Sequence, residues 1–574
     1  MSERDLAETF EAIANLLEIK GEPVYRVMAY RRAAETLRQM GPEVRDIWER
    51  GELQALPGVG KAIAEKIDEI LRTGELAFYE KLTAEVPAGL LEVLKVEGVG
   101  PKRAAQFWRE LGITSLDALE QAAQSGKLRS LSGMGPRSEA KILAGIEALR
   151  GRETGRVLLG QAWESAQAML EYLERGDGIL HAEVAGSLRR GRETIGDLDL
   201  LVASDSPSKA LEAVLGYGRI TRVLARGETK TSLELQGGLR AQIWIHPPAR
   251  WGSALQYATG SQAHNVRLRE LALDQGLSLS EHGFRRAGGG EILCREEAKV
   301  YETLGVPWIP PELREDRGEI QAAKEGRLPD LVKITDLRGE LHAHSTWSDG
   351  KASILEMAQV AMDMGMEYLV ISDHSKGLGI AGGLNADDLR RQREEIEAVQ
   401  ARLSRGPRIL QGIEVEILAD GSLDFPDEVL AGLDLVIASL HSSLKQERGR
   451  IMHRILRAIE NPHVDIIGHL TGRLINRRDP ADLDVEQALR AAAEHGTALE
   501  INAHPDRLDL KDAHARRAVE LGCLLAINTD AHHPEHFGYQ RFGVMTARRG
   551  WVPAQAVLNT WPLEKLLEWL HSRR

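Results

Sequence analysis

The sequence has little of what builds secreted or membrane-spanning proteins. Its two cysteines, Cys294 and Cys523, lie far apart in 574 residues without CxxC spacing, which argues against a disulfide scaffold and against thiolate zinc sites. No stretch approaches the ~18 consecutive apolar residues of a membrane-spanning helix, and the N-terminus lacks the apolar segment of a signal peptide. We therefore expect a cytoplasmic protein without a membrane partner.

The chain also lacks a net positive charge, and histidine is scarce before residue 340. The net charge of −13 argues only weakly against nucleic acid, because phosphate binding depends on locally placed amides and cations rather than on the average. Of the 18 histidines, four precede residue 340. The others crowd the C-terminal part of the chain, which predicts a metal-binding domain there.

The length predicts several domains, since a domain typically has ~100–200 residues. Residues 1–150 have the pattern of short helices separated by glycine-rich turns, and from about 155 helices alternate with β runs, as in an α+β domain. A charged stretch near 312–335 suits a linker or a surface helix. Beyond it, apolar strands that end in His, Asp or Glu alternate with helices, which is typical of an α/β barrel.

One turn motif occurs three times in the first 150 residues. Its copies begin at Leu56, Val96 and Leu131, and in each copy two glycines flank an apolar residue just before a helix. Glycine leaves no Cβ between the turn and an approaching phosphate, and the helix N-terminus offers N–H groups to it. Ordinary helix–helix turns are the alternative, but the repetition favours DNA-binding helix-hairpin-helix motifs. The glycines are Gly58, Gly60, Gly98, Gly100, Gly133 and Gly135.

A second motif, GSLRRGRETIGDLDLLVA, begins at Gly186. Gly186 and Ser187 open a predicted helix whose amides suit a triphosphate. Asp197 and Asp199 then share one face of a strand, ~6.5–7 Å apart, so both can hold a pair of hard divalent cations. Such a pair activates a 3′-oxygen and stabilises the leaving pyrophosphate. A surface strand with two solvated aspartates is the alternative.

Nine candidate metal ligands lie between residues 342 and 532. Imidazole combined with carboxylate suits Zn, Mn or Fe rather than Mg or Ca, and clustered cations that activate water favour phosphoester hydrolysis. A single histidine at a strand end is usually an ordinary surface residue, whereas this recurrent set indicates a metal centre. The nine residues are His342, His344, Asp349, His374, Glu414, His441, His469, Asp530 and His532.

These motifs resemble those of bacterial family X DNA polymerases with a C-terminal PHP domain. Around the first hairpin, LPGVGKAIAEKIDEIL preceded by AYRRAAETL is similar to the small lyase domain of DNA polymerase beta. The similarity places Lys66 at the Schiff-base lysine and Tyr30 near the same pocket. Arg26 and Ala62 stand where that family has supporting lysines, so Lys66 is either a lyase nucleophile or a phosphate contact.

The segment YATGSQAHNVRLRE, from Tyr257, resembles the nucleotide pocket of the same family. The resemblance implies that Tyr257 and Gly260 face the sugar of the incoming nucleotide. It further implies that Asn265 and Arg269 read the minor-groove side of the nascent pair and that Arg190 binds the triphosphate.

One position departs from the family pattern. The third catalytic carboxylate belongs on the strand LRAQIWIHPP, where the alignment gives Gln242. Glutamine has no charge with which to hold a cation or accept a proton, and Glu234 could replace it only if its strand faces the metal site. Two functions stay open: gap-filling synthesis, or a gap-binding module with a weak polymerase site that delivers DNA ends to the PHP domain.

The PHP resemblance implies a distorted α/β barrel with up to three metal ions. The implied ligand sets are His342, His344, Glu414 and Asp530; Asp349, His374 and His532; and Glu414, His441 and His469. Beside a gap-binding core, the implied substrate is a DNA 3′ end, for 3′–5′ exonuclease, 3′-phosphatase or abasic-site endonuclease chemistry. A small-molecule phosphatase is the alternative. His504 and Arg507 either line the same mouth or are surface residues.

The predicted fold is multidomain: an all-α helix-hairpin-helix region, an α+β nucleotidyltransferase palm like that of polymerase beta, and a C-terminal distorted α/β barrel of the PHP type. The predicted boundaries are a lyase-like domain at 1–80, a helix-hairpin-helix subdomain at 81–153, the palm at 154–247, a thumb-like subdomain at 248–312, a linker at 313–335 and the PHP domain at 336–574. We expect a monomeric DNA repair enzyme that binds gapped or nicked DNA and dNTP, with Mg or Mn at the polymerase site and up to three Zn, Mn or Fe ions in the PHP domain.

Overall fold

A computed structural model describes residues 3–40, 44, 47–48, 51–56, 58–73, 76–96, 98–154, 156–403 and 405–573. The chain divides into two compact units, 1–153 and 154–574. In the described ranges, no helix combines the length and the apolar character that crossing a membrane requires.

The first unit is helical throughout its described residues. Its core consists of apolar side chains three or four positions apart, such as Leu6, Phe10 and Ile13, because this spacing places them on one face of a helix. The helices are α1 Glu3–Lys20, α2 Val24–Met40, α3 Lys61–Thr73, α4 Ala77–Glu85, α5 Leu90–Val93, α6 Pro101–Leu111, α7 Leu116–Gln124 and α8 Pro136–Thr154.

The palm of the second unit is built on a five-stranded sheet with the order β2-β4-β7-β6-β5. Strands β4 and β7 are parallel, with Asp199 opposite Gln242, and the other neighbours are antiparallel. A short antiparallel pair, β1 and β3, lies beside it. The elements are β1 Val157–Leu158, α9 Leu159–Leu173, β2 His181–Val184, α10 Gly186–Arg189, β3 Thr194–Ile195, β4 Asp197–Ala203, α11 Pro207–Leu215, β5 Ile220–Arg226, β6 Lys230–Leu235 and β7 Arg240–His246.

The next region packs helices against a small antiparallel sheet with the order β10-β9-β8. The segment 313–335, for which we predict a linker, contributes to this packing: Arg314 is fully buried and lies 2.5 Å from Glu297, and Glu319 lies 2.7 Å from His264. The elements are α12 Trp251–Thr259, α13 Gln262–Asp274, β8 Leu277–Ser280, β9 Gly283–Arg286, β10 Glu291–Ile292, α14 Glu297–Thr303 and α15 Glu319–Lys324.

The C-terminal region is a parallel seven-stranded sheet in sequential order from β11 to β17. A bridge between Ala343 of the first strand and Ala531, three residues beyond the last strand, brings the two edges of the sheet together, so the sheet is a nearly closed barrel. All residues of β12, β14, β16 and β17 are buried, as in parallel sheets covered by helices. The elements are β11 Gly339–Ala343, α16 Ile354–Asp363, β12 Tyr368–Ile371, α17 Ala386–Arg402, β13 Arg408–Glu416, α18 Asp427–Leu430, β14 Leu435–Ser439, α19 Arg448–Glu460, β15 Ile466–Ile467, α20 Val485–His495, β16 Ala498–Asn502, α21 Asp512–Glu520, β17 Leu525–Asn528, α22 Gln540–Arg549 and α23 Leu563–Ser572.

Within the second unit, the barrel region and the palm share a packed interface, which we call the seam. Ile475, Leu508 and Phe542 of the barrel region are buried in the same apolar cluster as the palm helices and sheet. At Gly160 of α9, a Cβ would lie 2.9 Å from the ring of Pro505. The two regions are therefore joined by core packing as well as by the chain.

Candidate functional site

The face of the palm sheet that carries the aspartates opens into a cavity of about 740 Å³. All nine residues that the sequence predicts for polymerase catalysis and nucleotide binding, from the palm and the thumb-like region, line this cavity, because β4, α10 and the α12–α13 turn meet here. The lining residues are Arg156, Gly186, Ser187, Arg190, Arg192, Asp197, Asp199, Tyr257, Ala258, Thr259, Gly260, Gln262, Asn265 and Arg269.

Asp197 and Asp199 occupy alternate positions on β4 and face the same side of the sheet. Gly186 has a φ of +61°, and a Cβ there would lie 2.1 Å from Oδ2 of Asp199, so only glycine fits. Burial and the neighbouring Asp197 raise the pKa of Asp199 to about 7. Two crowded carboxylates at the floor of an open cavity fit a divalent cation, whose charge offsets their repulsion.

Gln242 occupies the position beside this pair where the third carboxylate is expected. Its Nε2 donates to Oδ2 of Asp197 at 2.5 Å. Glu234 faces the same side of the sheet, but it lies two strands from Asp197, about 10 Å away, and is paired with Arg222 at 2.9 Å. Glu234 therefore does not replace the missing carboxylate in this structure.

The rim of the cavity is held by hydrogen bonds. Asn265 donates from Nδ2 to the carbonyl of Tyr257 at 2.8 Å, and its Oδ1 accepts from Gln256 at 2.7 Å. Arg156 and Arg192 also line the cavity, and sequence reasoning missed both. The run of arginines after Gly186 could have revealed Arg192, whereas no local pattern marks Arg156.

The nine predicted metal ligands converge at the carboxyl ends of the barrel strands. The ligand atoms of each of three groups lie within 4.8 Å of one another, and Nε2 of His469 lies 3.0 Å from Oε1 of Glu414. The groups are His344, Asp349, His374 and His532; His342, His344, Glu414 and Asp530; and His374, Glu414 and His441.

Glu414 lies at the centre of this cluster. Burial acts to raise its pKa, but His441, His342 and His374 outweigh burial and hold the pKa well below its usual range. In the described part of the chain, Nε2 of His342 and Oε2 of Glu414 are buried without a hydrogen-bond partner. Unpaired buried polar atoms are costly, and a metal ion between imidazole and carboxylate satisfies both, so the donor set fits a transition metal.

A second layer of carboxylates orients the imidazoles. Nδ1 of His342 lies 2.7 Å from Glu500, and Nδ1 of His441 lies 2.7 Å from Glu416. Such partners fix the ring and leave the other nitrogen for a metal. Sequence reasoning missed both carboxylates, although Glu416 follows Glu414 by two positions on the same strand, a spacing that could have revealed it.

The two candidate mouth residues have different surroundings. Nε of Arg507 lies 3.7 Å from Oδ2 of Asp530, at the edge of the ligand cluster. His504 pairs instead with Asp506 and packs its ring against Tyr539 at 5.2 Å between centroids. Arg507 is therefore brought to the metal centre, whereas His504 belongs to a neighbouring aromatic group.

The paired glycines of the three hairpins differ in what they do. The first glycine of each pair has a positive φ, +76° at Gly58, +84° at Gly98 and +76° at Gly133, so it is required by the turn. The second ones lie directly before α3, α6 and α8, and a Cβ there would meet no described atom within 4 Å. Space for an approaching phosphate therefore exists at the second glycine. These are Gly60, Gly100 and Gly135.

Lys66 and Tyr30 both contact one aromatic ring, that of Phe78. The Lys66 ammonium is 5.1 Å from the Phe78 ring, and the Tyr30 ring stacks on Phe78 at 5.8 Å. Nζ of Lys66 also donates to the carbonyl of Ala62 at 3.1 Å. The structure thus brings the two predicted residues to one place.

Models of four protein families match separate parts of the chain. They are described as Helix-hairpin-helix domain for residues 1–76, SAM-like Helix-hairpin-helix tandem for 90–148, DNA polymerase beta thumb for 254–315 and PHP domain for 340–504. With the sheet topologies, these matches confirm the predicted fold class. They define a polymerase beta-like nucleotidyltransferase joined to a PHP domain.

Individual relatives make the assignment specific. The DNA polymerase/3′-5′ exonuclease PolX of Bacillus subtilis (strain 168) is 39% identical over 97% of this chain and 97% of its own. DNA polymerase lambda of Rattus norvegicus is 28% identical over 54% of this chain and 56% of its own, and a protein named Probable phosphatase of Thermoanaerobacter sp. (strain X514) is 32% identical over 41% and 95%. The chain belongs to the PolX family, as the motifs predict.

Proposed function

We propose that this protein is a monomeric DNA repair enzyme that fills gaps by template-directed nucleotidyl transfer and processes DNA 3′ ends at a separate PHP site. The observation that carries the proposal is that one compact unit contains two separate groups of acidic side chains. One is the aspartate pair in the palm cavity, and the other is the cluster of histidines and carboxylates in the barrel. The likeness over 97% of both chains to a DNA polymerase/3′-5′ exonuclease supports it.

In the palm, Asp197 and Asp199 would hold Mg or Mn, which activates the 3′-oxygen of a primer and stabilises pyrophosphate when bound. Gly186, Ser187 and Arg190 would bind the triphosphate of a dNTP. Tyr257, Gly260, Asn265 and Arg269 would orient its sugar and the nascent base pair. By holding the nucleotide in one orientation, these rim residues would place its α-phosphate close to the primer 3′-oxygen in a geometry ready for reaction.

In the first unit, the hairpin glycines and the helices that follow them would hold the phosphates of gapped or nicked DNA without reading its sequence. Lys66 would act beside Phe78 either as a lyase nucleophile or as one more phosphate contact. Both roles fit a cation held over the face of an aromatic ring.

In the PHP domain, the nine predicted ligands would hold up to three Zn, Mn or Fe ions, which activate water and neutralise phosphoryl charge when bound. Glu416 and Glu500 would keep the imidazoles in the ligating tautomer. Arg507, at the edge of the cluster, would attract the phosphate of a 3′ end. The reaction class is phosphoester hydrolysis.

A second function is favoured by one observation. Gln242 is hydrogen-bonded to Asp197 where a third carboxylate is expected, so the palm would bind gap and nucleotide but transfer slowly. The protein would then mainly deliver ends to the PHP site.

The decisive experiment assays the full chain with Mn and Mg on a one-nucleotide gapped duplex and on a 3′-tailed duplex, with histidinol phosphate in parallel. Gap filling and degradation of the tail support the main proposal. Degradation alone supports the second function. Hydrolysis of histidinol phosphate without either DNA activity would contradict both and indicate a small-molecule phosphatase.

A further inference from the structure

Arg549, at the end of α22 in the PHP domain, reaches across the seam into the palm. Its Nη1 donates to the backbone carbonyl of Arg190 at 2.8 Å and lies 2.9 Å from Oε1 of Glu315. Its Nη2 lies 2.9 Å from Asp512. The Arg549 side chain is 4% exposed, so this contact belongs to the packed interior and not to a mobile surface pair.

Glu315 is shared by three arginines, Arg190, Arg549 and, at 3.7 Å from its Oε2, Arg192. Nε of Arg190 lies 3.1 Å from the same Oε1 that Arg549 contacts. Burial acts to raise the pKa of Glu315, but Arg549 and Arg190 outweigh burial and lower it, which keeps the carboxylate ionised. Arg549 therefore holds Arg190 twice, directly at its carbonyl and indirectly through Glu315.

The remaining contacts of Arg190 occupy two of the three nitrogens of its guanidinium and leave Nη2. Nη1 donates to the carbonyl of Thr259 at 2.5 Å, and Nε is held by Glu315. No described residue accepts a hydrogen bond from Nη2, and Arg190 lines the nucleotide cavity. Because a guanidinium is a rigid planar fork, fixing two of its nitrogens sets the direction of the third.

We propose that Arg549 is a positioning residue for nucleotide binding: through Glu315, the PHP domain sets the arginine that receives the triphosphate of a dNTP. The inference rests on the proposed function of the palm. Arg549 also offsets the charge of Glu315, so that this carboxylate anchors Arg190 without cancelling its attraction for phosphate. The PHP domain thus takes part in nucleotide binding as well as in hydrolysis.

The test is Arg549→Gln in the full chain. Loss of a charge-assisted contact that acts on binding should raise the KM for dNTP on a one-nucleotide gap about tenfold, with little change in kcat. Degradation of a 3′-tailed duplex should keep its wild-type rate. Arg549→Lys retains the charge but not the planar guanidinium, and its KM for dNTP should lie between those of the wild type and Arg549→Gln.

Arg548→Gln is the matched control. Arg548 neighbours Arg549 on α22 and likewise leaves the PHP domain, reaching Glu312 of the region that follows the palm at 2.6 Å, but it makes no described contact with Arg190 or Glu315. Its removal should loosen the packing around α22 comparably and leave the KM for dNTP unchanged. The melting temperature of each variant, measured in parallel, reports that loosening.

Two outcomes would overturn the inference: an unchanged KM in Arg549→Gln, or an equal rise in Arg548→Gln. If the wild type incorporates no nucleotide, the proposed gap filling fails on its own. Calorimetric titration of the gapped-DNA complex with Mg-dATP then decides the inference separately, since the affinity should still fall in Arg549→Gln and not in Arg548→Gln.

Discussion

The ligand cluster of the PHP domain and the cavity of the palm have the same proposed task, which is to bring a phosphoryl group to divalent cations, but they are built in opposite ways. At the metal centre, His342, His344 and Glu414 are fully buried, and further carboxylates fix the rings. In the cavity, two carboxylates stand at an open floor beside a glutamine. In the PHP domain, the fold itself holds the ligating side chains in place. In the palm, the open cavity needs a bound cation and nucleotide to complete the site.

The sharpest way to break this comparison is Glu414→Ala. Glu414 lies within 3.3 Å of His342, His374, His441 and His469. Its loss should lower degradation of 3′-tailed DNA at least about a thousandfold, because a metal ion supplies several kcal/mol of charge stabilisation. Metal content per chain, measured by mass spectrometry, should fall with it.

Gap filling and DNA affinity should be unchanged in Glu414→Ala, because the aspartate pair lies in the palm and the hairpin glycines lie in the first unit. Glu397→Ala, an exposed carboxylate of the same domain, is the control and should change neither activity. Degradation at the wild-type rate in Glu414→Ala would mean that hydrolysis comes from another site.

Gln242→Asp tests the other side of the comparison. A carboxylate beside Asp197 and Asp199 restores a third ligand and a proton acceptor, and general bases typically contribute 10²–10⁴-fold. We expect single-nucleotide incorporation on a gapped duplex to rise by about a hundredfold or less, since the site was not shaped around the new charge.

Gln242→Asn is the matched control, because it shortens the side chain to that of aspartate without adding charge. It should not raise incorporation. If Gln242→Asp has no effect, Asp199→Ala in the wild type separates the explanations: a loss of incorporation means that the pair suffices, and no loss means that the palm site is not catalytic.

Replacing a carboxylate that orients a metal ligand should have a smaller effect than replacing a ligand itself. Glu416→Gln removes the charge beside Nδ1 of His441 but keeps a hydrogen-bond acceptor, and loss of such a partner typically costs ~10–100-fold in metal affinity or activity. Competition with a chelator should therefore strip metal from this variant at a lower chelator concentration. A metal affinity equal to that of the wild type would show that Glu416 has a structural role and does not tune the metal ligand.

The smallest expected effect is on DNA. Gly60→Ala combined with Gly100→Ala adds a methyl where no described atom lies within 4 Å, so folding should be unchanged while the approach of phosphate is hindered. We expect the Kd for gapped DNA to rise a few-fold, about 1 kcal/mol or less, in a titration at fixed salt. Gly58→Ala is a poorer test, because its φ of +76° makes the substitution strained whether or not DNA binds.

The sequence predicts strands and metal ligands where the residues that define them lie close together along the chain. The alternation around Asp197 and the apolar runs that end in His or Asp are visible in the sequence, and strands are present at both. The short strands β1, β3 and β8–β10 lack such patterns and were missed. The orienting Glu500 and the positioning Arg549 were also missed, because their partners His342 and Arg190 lie 158 and 359 positions away, a separation that no local pattern encodes.

The burial of Phe542, Ile475 and Leu508 among the palm side chains has a practical consequence for dissecting the enzyme. A fragment that ends before the PHP domain would expose the apolar surface that these side chains cover, and each large apolar side chain is worth ~1.5–3 kcal/mol when buried. Such a fragment should melt earlier than the whole chain and tend to aggregate. Loss of polymerase activity on truncation would then report an unstable fragment, not a catalytic role, so point variants in the intact protein are the sound way to separate the two activities.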